Sequence, residues 1–458
     1  MSTLRSQGLY GNTADTDTQK AAFLNGEVPV AVYGLGKMGL PLAGVYAETC
    51  GNVIGADIDP DVVETINDGG CHVKREPGLD DLVADLVAEG ALEATSDPVE
   101  AAKEAAVHVV IVPTPITDDN EPDLSILQAA VESIGAGLSA GDTVIVECTV
   151  PPRTTEGLVT ETLLETSGLD SDEFGVAFCP ERTSSGRALE DIRGAYPKVV
   201  GGVDTESTRV AELIYDEIND EGVIPVSDAT TAEAVKVFEG LYRDVNIGLA
   251  NELGRLTDEM GIDVREAIEV ANTQPFCDIH DPGPGVGGHC IPFYPYFIID
   301  PFDTETPLLE TAREVNDSMP SFTVDKVREE FQAESVSLDE TSILVLGLTY
   351  RLGVEEIRAS PSLAIAEELS SSGADVYGVD PLLDDFEAFD LEPIPQEEIY
   401  ERQFDAVILV TPHEEFNDIR WDEVERDGGQ LIVIDGRQVL DLSETDHRVY
   451  TIGSGYDV

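Results

Sequence analysis

Basic residues are the scarcest resource of this chain: 26 Lys and Arg stand against 92 Asp and Glu over 458 residues, a formal net charge of −66. That imbalance excludes nucleic acid and anionic membrane as partners, because both are bound through phosphate-neutralising cations. The acids are scattered over every expected surface and not gathered into a tail. Scattered acid with few lysines fits a protein adapted to molar salt, where the Debye length falls to about 3 Å and self-repulsion is screened. An anionic substrate would then need a local cluster of Arg and Lys.

Other absences narrow the class further. No apolar run approaches the ~20 residues of a membrane span, and the first residues, "MSTLRSQGLYGNTADTDTQKAAFLNGE", carry no apolar signal core. The expectation is a cytoplasmic protein of a halophilic organism with a flexible leading arm over residues 1–26. Six cysteines (Cys50, Cys71, Cys148, Cys179, Cys277, Cys290) lie far apart without a CxxC pair. Disulfides are therefore disfavoured in a reducing compartment, and no spacing suggests zinc or another metal.

What is present is a strand–helix alternation. Apolar runs at "VPVAVY" (28–33), "NVIGADIDP", "VHVVIVPTP" (107–115), "DTVIVECTVPP" (142–152), "FGVAFCPER" and "PKVVGG" predict strands separated by helices, the pattern of a parallel, doubly wound sheet. From Ala229 to about Met260 the spacing becomes helical, interrupted only by Gly240, Gly248 and Gly254. A third region, opening at "SILVLGLTYRLG" (342–353), repeats the strand–turn–helix order with "ADVYGVDP", "FDAVILVTP" and "QLIVIDG". The expected fold is α/β: two Rossmann-like doubly wound domains (27–226 and 333–458) joined by a central helical region (227–332) with a long helix.

Gly34-Leu35-Gly36-Lys37-Met38-Gly39 sits between an expected strand and helix, and Asp57 ends the next strand 18 residues after Gly39. Such glycines allow a tight turn and let a pyrophosphate rest on a helix N-terminus, while the acid takes the ribose hydroxyls. A carboxylate at that place repels a 2′-phosphate, which favours NAD over NADP. In the later echo, Gly347-Leu348-Thr349 replaces the second glycine, so that turn should hold something other than a dinucleotide in this manner.

Three residues are candidates for chemistry. Cys290 stands in "HDPGPGVGGHCIPFYPYFI" (280–298), a run too rich in Gly and Pro for a helix or regular strand. It reads either as a small buried thiol or as a nucleophile. Lys236, in "AVKVFEG", is either a snorkelling lysine or a proton-handling group. Glu181, in "FCPERT", is either one acid among 92 or a functional carboxylate at a strand end.

Taken together, "GLGKMGLPLA", "ADIDPDVVETINDG", "REPGLDDLV", "VPTP", "ECTVPP", "CPERT", "TAEAVKVFE", "GPGVGGHC", "REVNDSMP", "GLTYRLGVEEIRASPSL" and "VTPHEEF" resemble the UDP-glucose/GDP-mannose dehydrogenase family over nearly the whole length. "GPGVGGHCIP", "CPER" and "YRDVN" look most like its UDP-N-acetylmannosamine branch; UDP-glucose enzymes usually carry Ser-Cys where His289-Cys290 stands here. The resemblance implies oxidation of a sugar's primary alcohol to a carboxylate with two NAD in sequence, for surface polysaccharide or glycoprotein glycans, in a homodimer or higher homo-oligomer. It implies Cys290 as nucleophile, Lys236 as the group assisting proton removal, Glu181 as the activator of water and Thr149 beside nicotinamide and water. Thr114 falls on the cofactor side with Arg358; Arg351, Arg182, Thr183, Arg243, Lys236 and Gly285 fall on the UDP-sugar. UDP-glucose 6-dehydrogenase and a non-catalytic NAD or nucleotide-sugar sensor are the alternatives. The chain departs from the family's pattern at Gly240, where Asn is usual, at Tyr294, where Asp is usual, and at Arg351, where Lys is commoner.

Overall fold

The computed structural model describes residues 8–424, 426 and 429–456. Two compact units emerge: residues up to Glu239 with Tyr296–Phe302, and Gly240–Pro295 with Asp303–Val458. The long helix, Ala229–Arg255, contributes residues to both, and a separate short helix, Thr257–Met260, follows Leu256, so the helical stretch expected to reach Met260 is broken there.

The first unit is built on eight strands: β1 (Val30–Tyr33), β2 (Val53–Ala56), β3 (Leu92–Thr95), β4 (Val107–Val110), β5 (Thr143–Val146), β6 (Gly175–Phe178), β7 (Lys198–Gly202) and β8 (Val223–Pro225). Their order is β3-β2-β1-β4-β5-β6-β7-β8. Strands β1 to β6 are parallel, whereas β7 runs antiparallel to β6. The central strands are buried on both faces because helices cover both, which is why they read as continuous apolar runs. Val30 and Val32 pack to one side with Phe23 and Tyr46; Ala31 and Tyr33 pack to the other with Val144 and Phe178.

The expected loose arm is instead ordered from residue 8. Asp15 caps a helix over Thr16–Leu24, Leu9 and Phe23 are fully buried, and the Tyr10 hydroxyl donates to Asp204 at 2.9 Å. Two isolated apolar residues in a polar segment gave little periodic signal. Residues 1–7 of the expected arm lie outside the described part.

The second unit holds β9 (Ser342–Leu346), β10 (Asp375–Val379), β11 (Glu392–Pro393), β12 (Ala406–Leu409), β13 (Ile432–Asp435), β14 (Arg448–Thr451) and β15 (Gly455–Tyr456), in the order β11-β10-β9-β12-β13-β14-β15. All pairs are parallel except β14 with β15. In place of a second fingerprint glycine, the turn after β9 is closed from within. Asp380 accepts the N–H groups of Leu348 (2.7 Å) and Thr349 (2.8 Å), and the Thr349 hydroxyl meets His413 at 2.8 Å.

In the same unit, "YRDVN" and "REVND" meet in one buried network. The Arg313 guanidinium pairs with Asp244 at 2.5 Å, and Asn316 donates to the same Asp244 oxygen at 2.9 Å. Asn251 donates to Asn316 (2.8 Å) and accepts from the Gly283 N–H (2.9 Å), so the network ends on the Gly-Pro segment. Burial pushes the Asp244 carboxyl up, against the pull of Arg313. Removing one partner of such a buried pair strands the other charge. Arg313→Ala should therefore cost about 3–5 kcal/mol, whereas Arg193→Ala, which loses a solvent-facing pair with Glu48, should cost less than about 1 kcal/mol; thermal unfolding of the two variants measures both.

Candidate active site

In the first unit the glycine turn has the form a dinucleotide needs. Gly34 is left-handed (φ 90°), and a Cβ there would lie 2.7 Å from the Ile111 carbonyl oxygen. A Cβ on Gly39 would stand 1.9 Å from the Gly34 oxygen, so this glycine lets the helix Gly39–Cys50 close against the turn. Around Gly36 nothing lies within 4 Å of where a Cβ would be, the open side a pyrophosphate requires. Asp57, just after β2, takes the Leu35 N–H at 2.8 Å and the Asp59 N–H at 3.0 Å, which fixes its carboxylate at the strand end. These residues fit NAD.

The loop after β6 brings the turn and the chemistry together. The Thr183 hydroxyl donates to the Glu181 carboxylate and lies 2.9 Å from the Met38 sulfur, linking the fingerprint to Glu181. Lys236 is buried; its ammonium donates to the Glu181 carbonyl and sits 3.5 Å from Glu181 Oε2. Burial alone would push the Glu181 carboxyl up, but Lys236 and the Thr183 hydrogen bonds outweigh it and hold the group below the usual carboxylate range. Arg182 pairs with Glu239 at 2.6 Å and stacks over the Tyr196 ring at 4.8 Å. Thr114, in the turn after β4, donates to the Thr149 carbonyl at 2.6 Å, tying together the ends of two adjacent strands.

Several positioning groups escaped the sequence. Glu147, at the end of β5, is buried with Lys198 at 2.7 Å and the Tyr215 hydroxyl donating to it, and Lys198 adds to the positive field on Glu181. Glu76, from "REPG", accepts the N–H groups of Gly186 (3.0 Å) and Leu189 (3.2 Å) and so anchors the loop that follows Glu181. Glu233, one turn before Lys236, caps the segment after Thr149 by accepting the N–H groups of Arg153 (2.6 Å) and Thr155 (2.7 Å). Only the quoted runs containing these residues hinted at them; their partners are tens of residues away.

In the second unit Cys290 is exposed, and the N–H groups of Phe293 (3.0 Å) and Tyr294 (2.9 Å) both donate to its carbonyl. The glycines before it are filled by the protein's own loop after β9. A Cβ on Gly287 would lie 2.7 Å from the Ala359 oxygen, one on Gly288 2.8 Å from the Tyr350 ring, and one on Gly285 (φ 141°) 3.0 Å from Pro361. This packing requires their smallness. His289 pairs with Glu356, and the Arg358 guanidinium stacks over the Phe293 ring at 4.9 Å. Arg243, Arg351 and Arg358 are all exposed. Among the described residues no group of His, Cys, Asp and Glu could hold a metal, and no helix is long and apolar enough to cross a membrane.

A dinucleotide turn joined to a paired carboxylate and ammonium defines an NAD-dependent dehydrogenase. Residues 28–219 match the NAD binding domain of the UDP-glucose/GDP-mannose dehydrogenase family, 230–318 its central domain and 344–442 its UDP binding domain. The chain is 37% identical over 414 residues to UDP-N-acetyl-D-mannosamine dehydrogenase of Pyrococcus horikoshii, covering 90% of this chain and 96% of that one. It is 36% identical over 418 residues to NDP-N-acetyl-D-galactosaminuronic acid dehydrogenase of Ralstonia nicotianae, covering 89% and 95%. The solved structure of UDP-D-ManNAc dehydrogenase from Pyrococcus horikoshii superposes with a TM-score of 0.85 at 34% identity, over 93% of this chain and 99% of that one. The chain belongs to the UDP-glucose/GDP-mannose dehydrogenase family: it is a nucleotide-sugar dehydrogenase with NAD as cofactor.

Two measurements test the electrostatics. Burial raises the Glu233 carboxyl from 4.5 to about 7, against its two N–H donors. The folded state then holds a proton that the unfolded state has already released between those values, so this site's contribution to stability declines as pH rises from 4.5 to about 7. Relative to Glu233→Gln, the native protein should lose about 3 kcal/mol across that window, read as the difference in unfolding temperature at pH 5 and pH 8. Burial also pushes Cys50 and Cys71 to about 11 and Cys148 to about 12. Iodoacetamide at neutral pH should therefore label exposed Cys290 first and spare these three, as peptide mass spectrometry would show.

Proposed function

We propose that this enzyme oxidises the primary alcohol of a UDP-N-acetylhexosamine, UDP-N-acetylmannosamine foremost, to the uronate. NAD, which Gly34, Gly36, Gly39 and Asp57 would hold, would supply the hydride acceptor for each of two successive oxidations. Lys236 assists loss of the hydroxyl proton as the aldehyde forms, and its ammonium stabilises the oxyanion. The Cys290 thiolate then adds to the aldehyde carbon to give a thiohemiacetal, whose oxidation leaves a thioester. Glu181 takes a proton from water, the hydroxide displaces the Cys290 thiolate, and the carboxylate product is released. The observation that carries this reading is the Thr183 bridge between Met38 and Glu181, with Lys236 on the same carboxylate. Names of the relatives support the N-acetylhexosamine.

Thr149 and Thr114 belong on this reading to the nicotinamide side, with Gly34, Gly36, Lys37, Met38, Gly39, Asp57 and Arg358 on the cofactor. Arg182, Thr183, Arg243, Gly285 and Arg351 belong to the UDP-sugar. Residues 27–226 would form the NAD domain, 227–332 the central region and 333–458 the UDP-sugar domain. The protein would work as a homodimer or higher homo-oligomer in the cytoplasm of a halophile, feeding glycan synthesis.

Supplied with a panel of UDP-sugars, the enzyme should form two NADH per UDP-N-acetylmannosamine; turnover of UDP-glucose alone would overturn the substrate. Cys290→Ser should lose about a thousandfold or more in acid formation. Glu181→Gln should accumulate a sugar adduct on Cys290, visible as a mass increase of the intact protein, and no adduct under any condition would reject covalent catalysis.

A further inference from the structure

Gly240 lies inside the long helix, where glycine costs about 1 kcal/mol relative to alanine. The reason for it is the ring of Tyr294. A Cβ at Gly240 would stand 2.0 Å from Tyr294 Cδ2, 2.8 Å from Cγ and 3.0 Å from Cβ. These are atoms at the root of the side chain, so no swing of a flexible tip could relieve the clash. Tyr294 is only 7% exposed, and its N–H donates to the Cys290 carbonyl at 2.9 Å, one turn away. Cys290 itself is exposed. The turn that carries the thiol is therefore pinned at its far end by a ring seated in a notch that only glycine leaves open. Gly240 is also four residues beyond Lys236, on the same face of the helix.

We propose that Tyr294 is a positioning residue for Cys290 and that Gly240 is its socket, the two forming one unit that sets the direction of the thiol. Two of the three positions at which this chain departs from its family's pattern, Gly240 and Tyr294, are thereby a single exchange. Asn at 240 would drive its Cβ into the ring, and Asp at 294 would empty the notch, so neither position can revert alone. The proposal deepens the reading of Cys290 as nucleophile and rests on it, but the socket itself is a geometric claim that needs no turnover to test.

A double-mutant cycle of Gly240→Ala, Tyr294→Ser and the pair, with Tyr294→Phe beside it, decides the matter in the full-length enzyme. The readouts are the rate of Cys290 alkylation by iodoacetamide, kcat and KM for the UDP-sugar, and the unfolding temperature. Each single variant should change the alkylation rate about fivefold or more and lower kcat about tenfold, with KM nearly unchanged, because a displaced nucleophile costs rate and not binding. The pair should recover about fivefold over the product of the single effects, since the added methyl then meets a vacated notch. Tyr294→Phe should match the native enzyme within about twofold, as the ring and not the hydroxyl fills the socket.

Multiplicative single effects, or alkylation unmoved in both single variants, would overturn the proposal. Equal loss in Tyr294→Phe and Tyr294→Ser would also overturn it, by assigning the role to the hydroxyl. Should Gly240→Ala fail to fold, alkylation in Tyr294→Leu must fall between the Phe and Ser variants; any other order sinks the idea. If no UDP-sugar is oxidised by the native protein, the reaction proposed above fails while the alkylation arm still stands.

Discussion

Charge is the constraint from which the rest follows. With 92 acids and 26 bases, a cation is too scarce to be placed idly, and three inward-facing ones are each given a fixed acidic partner, while Arg265 is held by the carbonyls of Ile452, Pro282 and Gly436. Arg313 holds Asp244 in the second unit, Lys198 holds Glu147 in the first, and Lys236 holds Glu181 at the strand end. Most of the other acids face solvent and repel one another, a repulsion that salt screens at the surface but not in the interior. The outcome is a division of labour. Surface charge governs solubility, while a few desolvated pairs govern geometry.

Those pairs sit where a parallel sheet leaves its loops. In both units an aspartate just past the second strand of the motif, Asp57 after β2 and Asp380 after β10, accepts the N–H of the residue following the first turn glycine. The two turns differ in what comes next. Around Gly36 the space is open, whereas Leu348 and Thr349 are tied to Asp380 and His413. One architecture thus yields a phosphate-ready turn in the first unit and a self-satisfied one in the second, and the difference is carried by whether the second position has a side chain.

Much of this was legible because it is local. The dinucleotide turn, Asp57 and the central strands declare themselves through glycine spacing and unbroken apolar runs. The edge strand β3 did not, since only Leu92 of its four residues is fully buried and the segment reads as mixed. The ordered segment before Val30 was missed because its anchors, Leu9 and Phe23, are isolated. Glu147, Lys198 and Tyr215 were illegible for a different reason: their contacts join β5, β7 and the helix Thr205–Tyr215, and no periodicity encodes an encounter across that distance. Gly240 and Tyr294 were visible as two anomalies, yet only coordinates reveal that one is the space the other occupies.

The field around Glu181 bears on how the proposed reaction must work. A carboxylate held below its ordinary pKa is a weak base, so Glu181 could not activate water through basicity alone. While Lys236 lies against it, the ammonium both orients the carboxylate and suppresses its appetite for a proton. An oxyanion forming on the substrate competes for the same ammonium. Drawing Lys236 toward that oxyanion removes the charge that depresses Glu181 and leaves it desolvated, which raises its pKa. On the proposed mechanism Glu181 would thus become a stronger base as the substrate is oxidised, and one scarce cation would serve the two half-reactions in order.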